Sequence, residues 1–336
     1  MSPAISVCIP VYATERSLPA CLHSVAAQRG MEAAGLEIIV VDDASPAADP
    51  ELSSPARIVS QFQQESPWPV VYLEHQENKG ILEARRTAVQ AATGDYIFCL
   101  DSDDTLPPTS LSSLYHHAMA ENADIVHGRA QVVVNREYGC ALDSQTESSL
   151  LKSVQRKAGA IYPGQLKDGA ILQSVLVDKT QNTFLWGKLI RRELYLHALA
   201  AIPSVYCSMA DDLLQYILIA HHARSYLGIG EMVYNYTVNT GISSHTKITS
   251  LERWGQVCSA ASVFTVLFNC VEDMSEPFSA EQKDSIRNLC RFYLINNLQQ
   301  LQLFVVPELY PEAHRLLCEF WGPDFVRQAE SFLQKK

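Results

Sequence analysis

Apolar residues recur along this chain in two rhythms. Short, nearly continuous runs at Ile5-Ser6-Val7-Cys8-Ile9, Leu36-Glu37-Ile38-Ile39-Val40-Val41, Val70-Val71-Tyr72-Leu73 and Tyr96-Ile97-Phe98-Cys99-Leu100 read as strands. The second is apolar enough to be buried on both faces, as parallel strands are. Between them the spacing turns helical. Leu18, Cys21, Leu22 and Val25 follow Ser17, a capping residue, and Ile81 to Ala92 forms a run stopped by Gly94. The Ser-, Gln- and Pro-rich stretch after Pro46 is assigned no element. This β-α-β-β-α-β order predicts an α/β fold, a mostly parallel sheet with helices on both faces.

Further along the patterns are shorter. Leu111, Leu114, Tyr115 and Ala118 follow Pro107-Pro108 as a loop leading into a helix, and strands are expected at Ile125-Val126-His127 and from Gln131 to Asn135. Residues 141–160 are polar and carry no clear period. Thr183 to Ile190 reads as a strand leading into a helix near Arg192-Glu193-Leu194. Ala210-Asp211-Asp212-Leu213-Leu214 opens an apolar helix to Ala223, and Val233-Tyr234-Asn235-Tyr236 is a short aromatic strand. From Leu251 on the pattern is helical, broken at Ser275-Glu276-Pro277 and Val306-Pro307. The chain therefore divides into an α/β part, 1–245, and a helical C-terminal region, 246–336.

Two polar turns stand where strands should end. Asp42-Asp43-Ala44-Ser45 follows the second, and Asp101-Ser102-Asp103-Asp104 follows the fourth. Three carboxylates in four residues repel one another and raise each other's pKa unless a cation neutralises them. Hard ions such as Mg²⁺ and Mn²⁺ prefer such oxygens, and Mg²⁺ usually takes one or two carboxylates plus substrate phosphates. Alone, three acids in a loop are more often a solvated acidic turn. In a doubly wound sheet, however, both acidic turns lie at the carboxyl edge, where ligands bind.

Composition narrows the classes. The 336 residues are 47% hydrophobic and 19% charged, ordinary for a globular chain, and the net charge of −11 argues against a nucleic-acid binder. The nine cysteines are scattered without a C-x-x-C pair, which suggests a reducing compartment and no zinc site. No signal peptide and no 18-residue apolar run are expected. The region from Leu251 on has 8 Lys+Arg against 11 Asp+Glu, so it carries no polybasic anchor.

In their order, these motifs resemble a family 2 glycosyltransferase of the GT-A fold, the bacterial type that builds surface polysaccharides. The likeness runs from Ile5 to about Ser244, through Ile9-Pro10-Val11-Tyr12, Val40 to Ser45, Asn78-Lys79-Gly80 with Ala84-Arg85-Arg86, Leu100 to Asp104, Trp186-Gly187-Lys188-Leu189 and Asp211-Asp212-Leu213. The family usually has Asn at the position of Ala13, Gly at that of Ala44 and Glu-Asp at that of Asp211-Asp212.

The resemblance implies a nucleotide-diphosphate sugar donor, UDP by frequency, and a glycan or lipid-linked acceptor at the inner face of the plasma membrane. It implies a cytoplasmic enzyme using Mn²⁺ or Mg²⁺. Asp103 is the expected metal ligand, with Asp101, Asp104 and His245 as further candidates; Asp101 would also touch ribose or metal-bound water, and Asp104 would support the site. Tyr12 would stack on the nucleotide base and Asp43 would accept a hydrogen bond from it. Pro10, Asn78, Lys79, Gly80, Arg85, Trp186 and Lys188 are expected to bind substrate. Asp212 is the expected general base, with Asp211 second. The C-terminal region is left to cover the acceptor cleft, touch the membrane peripherally or form a homodimer contact.

Two rival functions share these residues. A haloacid-dehalogenase-type phosphatase would use Asp101 as nucleophile within a D-x-D-G-T signature, but that signature sits on the first strand and its Gly is Asp104 here. A non-catalytic nucleotide-binding GT-A module would keep affinity and transfer nothing. An EF-hand fails at once, since Leu106 and Ser112 stand where it needs Gly and Glu.

Overall fold

The computed structural model describes residues 3–32, 35–46, 52–134, 144–238 and 247–333. The first half alternates strand and helix, with one helix more than expected: β1 (Ile5–Val11), α1 (Leu18–Ala26), β2 (Leu36–Asp42), α2 (Pro55–Glu65), β3 (Val70–Glu74), α3 (Ile81–Ala91), β4 (Tyr96–Cys99) and α4 (Ser110–Glu121). Then come β5 (Ile125–Val134), α5 (Ser144–Ala158), β6 (Gly164–Lys167), α6 (Gly169–Leu176), β7 (Lys188–Arg191), α7 (Arg192–Ala200), α8 (Asp211–His222) and β8 (Ser225–Val238). The chain closes on α9 (Leu251–Cys258), α10 (Ala260–Asp273), α11 (Ala280–Leu303), α12 (Tyr310–Trp321) and α13 (Pro323–Leu333).

The eight strands form one sheet in the order β3-β2-β1-β4-β7-β5-β8-β6. β1, β2, β3 and β4 pair in parallel, as do β5 and β8. β7 enters antiparallel between β4 and β5, and β6 closes the edge antiparallel to β8, so the sheet is mixed. The direction of β7 matters for the site. Running backwards, it begins at the edge where β1, β2 and β4 end, and brings Phe184 to Lys188 beside the acidic turns.

Alternation along the strands separates two cores. Val7 and Ile9 face α1, α2 and α4, whereas Cys8, Ile39 and Val41 face α3, α7 and α8. The second core runs on without a break into α9–α13, through Trp254, Phe264, Leu294 and Leu317. Leu251–Asp273, α9 with α10, is the one stretch among the described residues that is long and apolar enough to cross a membrane. Its most apolar window is 72% buried in the fold, as a core helix would be.

The differences from expectation have local causes. α2 lies in the stretch given no element: Ser54 accepts from Arg57 N, Pro55 supplies the first turn, and only Ile58, Val59 and Phe62 mark the buried face. The two short strands expected at 125–127 and 131–135 are one strand, β5, with register shifts at His127, Arg129 and Ala130. The short aromatic strand is the second half of the fourteen-residue β8, whose first half is interrupted by Gly228 and Gly230.

Ala13 and Ala44 adopt left-handed backbone, with φ of 52° and 56°. At these positions the resembled family has Asn and Gly, which enter that region most readily, while Ala pays roughly 1–2 kcal/mol. Ala44→Gly is therefore expected to stabilise the fold by about 0.5–1 kcal/mol, after the extra chain entropy of Gly is subtracted. Urea unfolding should show a raised midpoint with unchanged slope. A lowered midpoint would mean that the turn carries no such strain.

Candidate active site

The turns after β1, β2 and β4, the segment before β7, the end of β8 and the start of α8 surround one cavity of about 1090 Å³. Pro10, Tyr12, Asp43, Asn78, Gly80, Arg85, Asp101, Asp103, Trp186, Asp211 and Asp212, all singled out from sequence, lie on its wall.

The β2 turn is built by its own carboxylates. Asp42 accepts from Ser45 N at 3.0 Å, Ser45 Oγ at 2.6 Å and Tyr72 OH at 2.9 Å. Ser45 Oγ in turn receives Ala13 N at 3.1 Å, which ties the β1 turn to the β2 turn. Asp43 is 3% exposed and holds the Asn78–Gly80 turn: it accepts from Lys79 N at 2.9 Å and Gly80 N at 2.8 Å, and pairs with His75 Nδ1 at 2.6 Å. Lys79 takes part through this backbone N–H; its side chain is exposed and does not line the cavity. Gly80, at φ 89°, bridges Cys207, and a Cβ there would meet the Cys207 carbonyl oxygen at 2.5 Å. Only glycine lets the β2-side turn approach the segment that leads into α8.

The acidic turn after β4 is sorted by burial. Asp101 and Asp103 are partly exposed on the cavity wall, whereas Asp104 is 1% exposed and turned into the protein. Asp104 accepts from Tyr234 OH at 2.8 Å and Thr237 N at 2.6 Å, and Tyr234 OH accepts from Asp101 N at 3.1 Å. Burial, and then Asp103 and Asp101 beside it, hold the Asp104 carboxyl well above the usual carboxylate range. Asp104, expected among the metal ligands, is thus the anchor that fastens the turn to β8.

Arg85 joins the two halves of the cavity. Its guanidinium is 3% exposed, donates to Asp101 Oδ1 at 2.6 Å and makes a close ion pair with Asp211 Oδ2. Burial works against its charge, but Asp211 and Asp101 outweigh that and keep it ionised. Asp211 also accepts from Gln215 Nε2 at 3.0 Å. Asp212, half-buried beside it, accepts from Leu213 N at 2.8 Å. Burial, and then the neighbouring Asp211, push the Asp212 carboxyl up to about 7. Neither Asp caps the helix; that position is Ala210, left-handed at φ 64°, and the two acids occupy the first turn of α8.

One expected substrate contact falls elsewhere. Lys188 is fully buried beneath the cavity wall, because its amine is taken up by Asn182 Oδ1 and the Phe184 carbonyl and sits 4.3 Å over the Tyr216 ring. It is therefore no direct substrate contact. His245 lies outside the described residues. Sequence reading missed His75, Tyr234, Phe184 and Tyr236. The last two line the cavity, and His75 and Tyr234 hold the residues that do.

Asp101 and Asp103 suit a divalent ion that draws its remaining ligands from a diphosphate and water. Among the described residues no group of three or more His, Cys, Asp or Glu is placed to hold a metal by itself. The donor set fits an ion shared with a phosphate-bearing substrate better than a closed structural site.

Residues 6–185 match the protein family described as Glycosyl transferase family 2. Over 129 residues the chain is 33% identical to the glycosyltransferase GlyG of Streptococcus pneumoniae, covering 38% of this chain and 39% of that protein. The chain spans less than half the length of the curated relatives it matches. Among solved structures, S. aureus TarS 1-349 in complex with UDP-GlcNAc aligns over 100% of this chain and 93% of that one, at TM-score 0.57 and 16% identity. The mannosyltransferase PcManGT from Pyrobaculum calidifontis, in complex with GDP-Man and Mn²⁺, aligns over 100% of this chain and 79% of that one, at TM-score 0.53 and 17% identity. At such identities the likeness is one of fold, and it is the GT-A fold. The family match leaves the phosphatase reading of Asp101 without support. With more than half of its length matched, the chain belongs to glycosyl transferase family 2.

Proposed function

We propose that the protein is an inverting, metal-dependent glycosyltransferase of polysaccharide biosynthesis. It would move a hexosyl or N-acetylhexosaminyl group from a UDP-sugar to a hydroxyl of a glycan or lipid-linked acceptor at the cytoplasmic face of the membrane. The observation that carries this reading is Asp212, a half-buried carboxyl on the cavity wall beside Asp211, pushed up to about 7 by burial and by that neighbour. A general base works best with its pKa near the operating pH.

Each part of the reaction has a residue suited to it. Tyr12 and the Asp43-held turn would receive the nucleotide. Asp103 and Asp101 would hold Mn²⁺ or Mg²⁺ with the diphosphate, and the ion, when bound, supplies electrostatic stabilisation of the leaving group. Asp212 would take the proton of the acceptor hydroxyl as it attacks. Asp211 is the weaker candidate, since its carboxylate is engaged by Arg85 and Gln215. Arg85 would act as a positioning residue, setting Asp101 and Asp211 relative to one another. A donor sugar named in one neighbour, UDP-GlcNAc, and a metal in another, Mn²⁺, are compatible with this site.

Four outcomes follow. Asp212→Asn should lower turnover by roughly two to four orders of magnitude, with UDP affinity unchanged. Because the base must be ionised, kcat/KM of the native enzyme should fall as pH drops through about 7. Near-normal turnover in the variant would move the role to Asp211; normal turnover in both single variants would end the inverting reading. Asp103→Ala should remove the Mn²⁺ dependence of UDP binding, measured by calorimetry, while the fold survives; an undiminished dependence would put the metal elsewhere. Arg85→Met should cost about 3–5 kcal/mol in urea unfolding, because it leaves two carboxylates facing each other without their cation. A cost under about 1 kcal/mol would show that the bridge contributes little.

A further inference from the structure

Lys188 is the one described lysine with no exposure at all, and the proposed chemistry gives it no task. Lysine is almost never fully buried unless it is paired, so its partners identify what it holds. Its amine donates to Asn182 Oδ1 at 2.7 Å and to the Phe184 carbonyl, above the ring of Tyr216. Asn182 passes the constraint on, donating to the carbonyls of Ala158 at 3.2 Å and Ala160 at 3.1 Å. Gln181 is fixed likewise by Tyr216 OH at 2.7 Å. The segment Gln181–Phe184 is thereby fastened from beneath, and its upper side lines the cavity.

What this fastening sets in place is a stack of rings. Phe184 lies on Trp186 at 4.4 Å between centroids, with planes 12° apart, and Trp186 lies on Tyr234 at 4.8 Å and 12°. Tyr236 joins Trp186 at 5.2 Å and 18°. Phe184 and Tyr236 are half-buried and border the cavity. Tyr234 is the residue that anchors Asp104 and Asp101, so the stack is fixed at one end to the acidic turn. Its place in the sheet sets it to one side of the nucleotide turns: β7 stands two strand spacings, roughly 10 Å, from β1, whose end carries Tyr12, and one further from β2.

We propose that Phe184 and Tyr236, backed by the buried Trp186, form a platform on which a pyranose ring of the acceptor stacks, and that Lys188 is the positioning residue that holds it. This deepens, and rests on, the glycosyltransferase reading of the same cavity. A sugar ring offers an apolar C–H face and a rim of hydroxyls. The wall offers flat aromatic surface with Thr183, Ser208 and Asn288 around it. A lipid chain would call for an apolar wall without those groups. Tyr216, whose ring lies under the amine, stands one turn beyond Asp212 on α8, so the same lysine relates the platform to the base.

The test is a tryptophan-fluorescence titration of the full chain, saturated with UDP and Mn²⁺, against the methyl glycosides of glucose, galactose, mannose and N-acetylglucosamine. At least one should bind. Its affinity should fall about ten-fold in Lys188→Met and in Phe184→Leu, while UDP affinity stays within about two-fold. This split is one that a general loss of structure would not give, and Phe184→Leu leaves the buried lysine untouched should Lys188→Met fold poorly. Unchanged glycoside affinity in Phe184→Leu, or no binding of any of these glycosides to a native protein that binds UDP, would overturn the platform. UDP affinity, read in the same titrations, tests the nucleotide reading separately, since its loss would strike that reading whatever the glycosides do.

Discussion

One buried guanidinium decides how this cavity can work. Arg85 sits on α3 and binds Asp101 of the β4 turn and Asp211 of α8, residues that come from opposite sides of the cavity. Without it, the carboxylates of the acidic turn and of the first turn of α8 would face each other across a site with little solvent, and that repulsion would push the two sides apart. With it, Asp101 is held on the cavity wall where a metal–diphosphate would lie. Asp211 keeps enough negative charge to help raise its neighbour Asp212 to about 7. Burial is the larger cause of that rise, and the positive charge of Arg85 nearby opposes it.

The turns around this bridge carry backbone strain. Ala13, Ala44 and Ala210 are all left-handed, and they stand at the ends of β1 and β2 and at the start of α8. Each opens a turn onto the cavity, and Gly80 makes the closest approach of all. Strain of this kind persists where surrounding contacts over-determine the backbone. Here the contacts are visible: Ser45 on Ala13 N, Asp43 on the Asn78–Gly80 turn, and Tyr234 with Thr237 on Asp104. Rigid turns on a rigid sheet hold charges in place before a substrate arrives, as electrostatic catalysis requires.

Much of the parallel half was legible from sequence, because continuous apolar strands with polar turns leave a strong local signal. The two acidic turns were legible for the same reason, and they do meet at one edge. The pairings across the fold left no such signal. Arg85 and Asp211 are 126 residues apart, and Tyr234 meets Asp104 across 130. The direction of β7 is set by tertiary packing, and four residues carry no mark of it. Lys188 misled because a lysine in a motif that resembles an acceptor-side segment reads as a substrate contact, and only the structure shows its amine taken up by Asn182 and Phe184. Asp104 misled because three equal letters in one turn hide which carboxylate turns inward. α2 was overlooked because beyond Pro55 only three buried residues in a polar stretch mark its face, a faint period, although Ser54-Pro55 is a helix-start signal.

The account holds that a single base acts directly on the acceptor, with no covalent sugar–enzyme intermediate. The most direct test is the anomeric configuration of the product, read by proton NMR from the coupling of the new glycosidic proton after turnover of the nucleotide sugar that the enzyme accepts. A configuration opposite to that of the donor is the result predicted for in-line displacement assisted by Asp212. Retention of the donor configuration would contradict it.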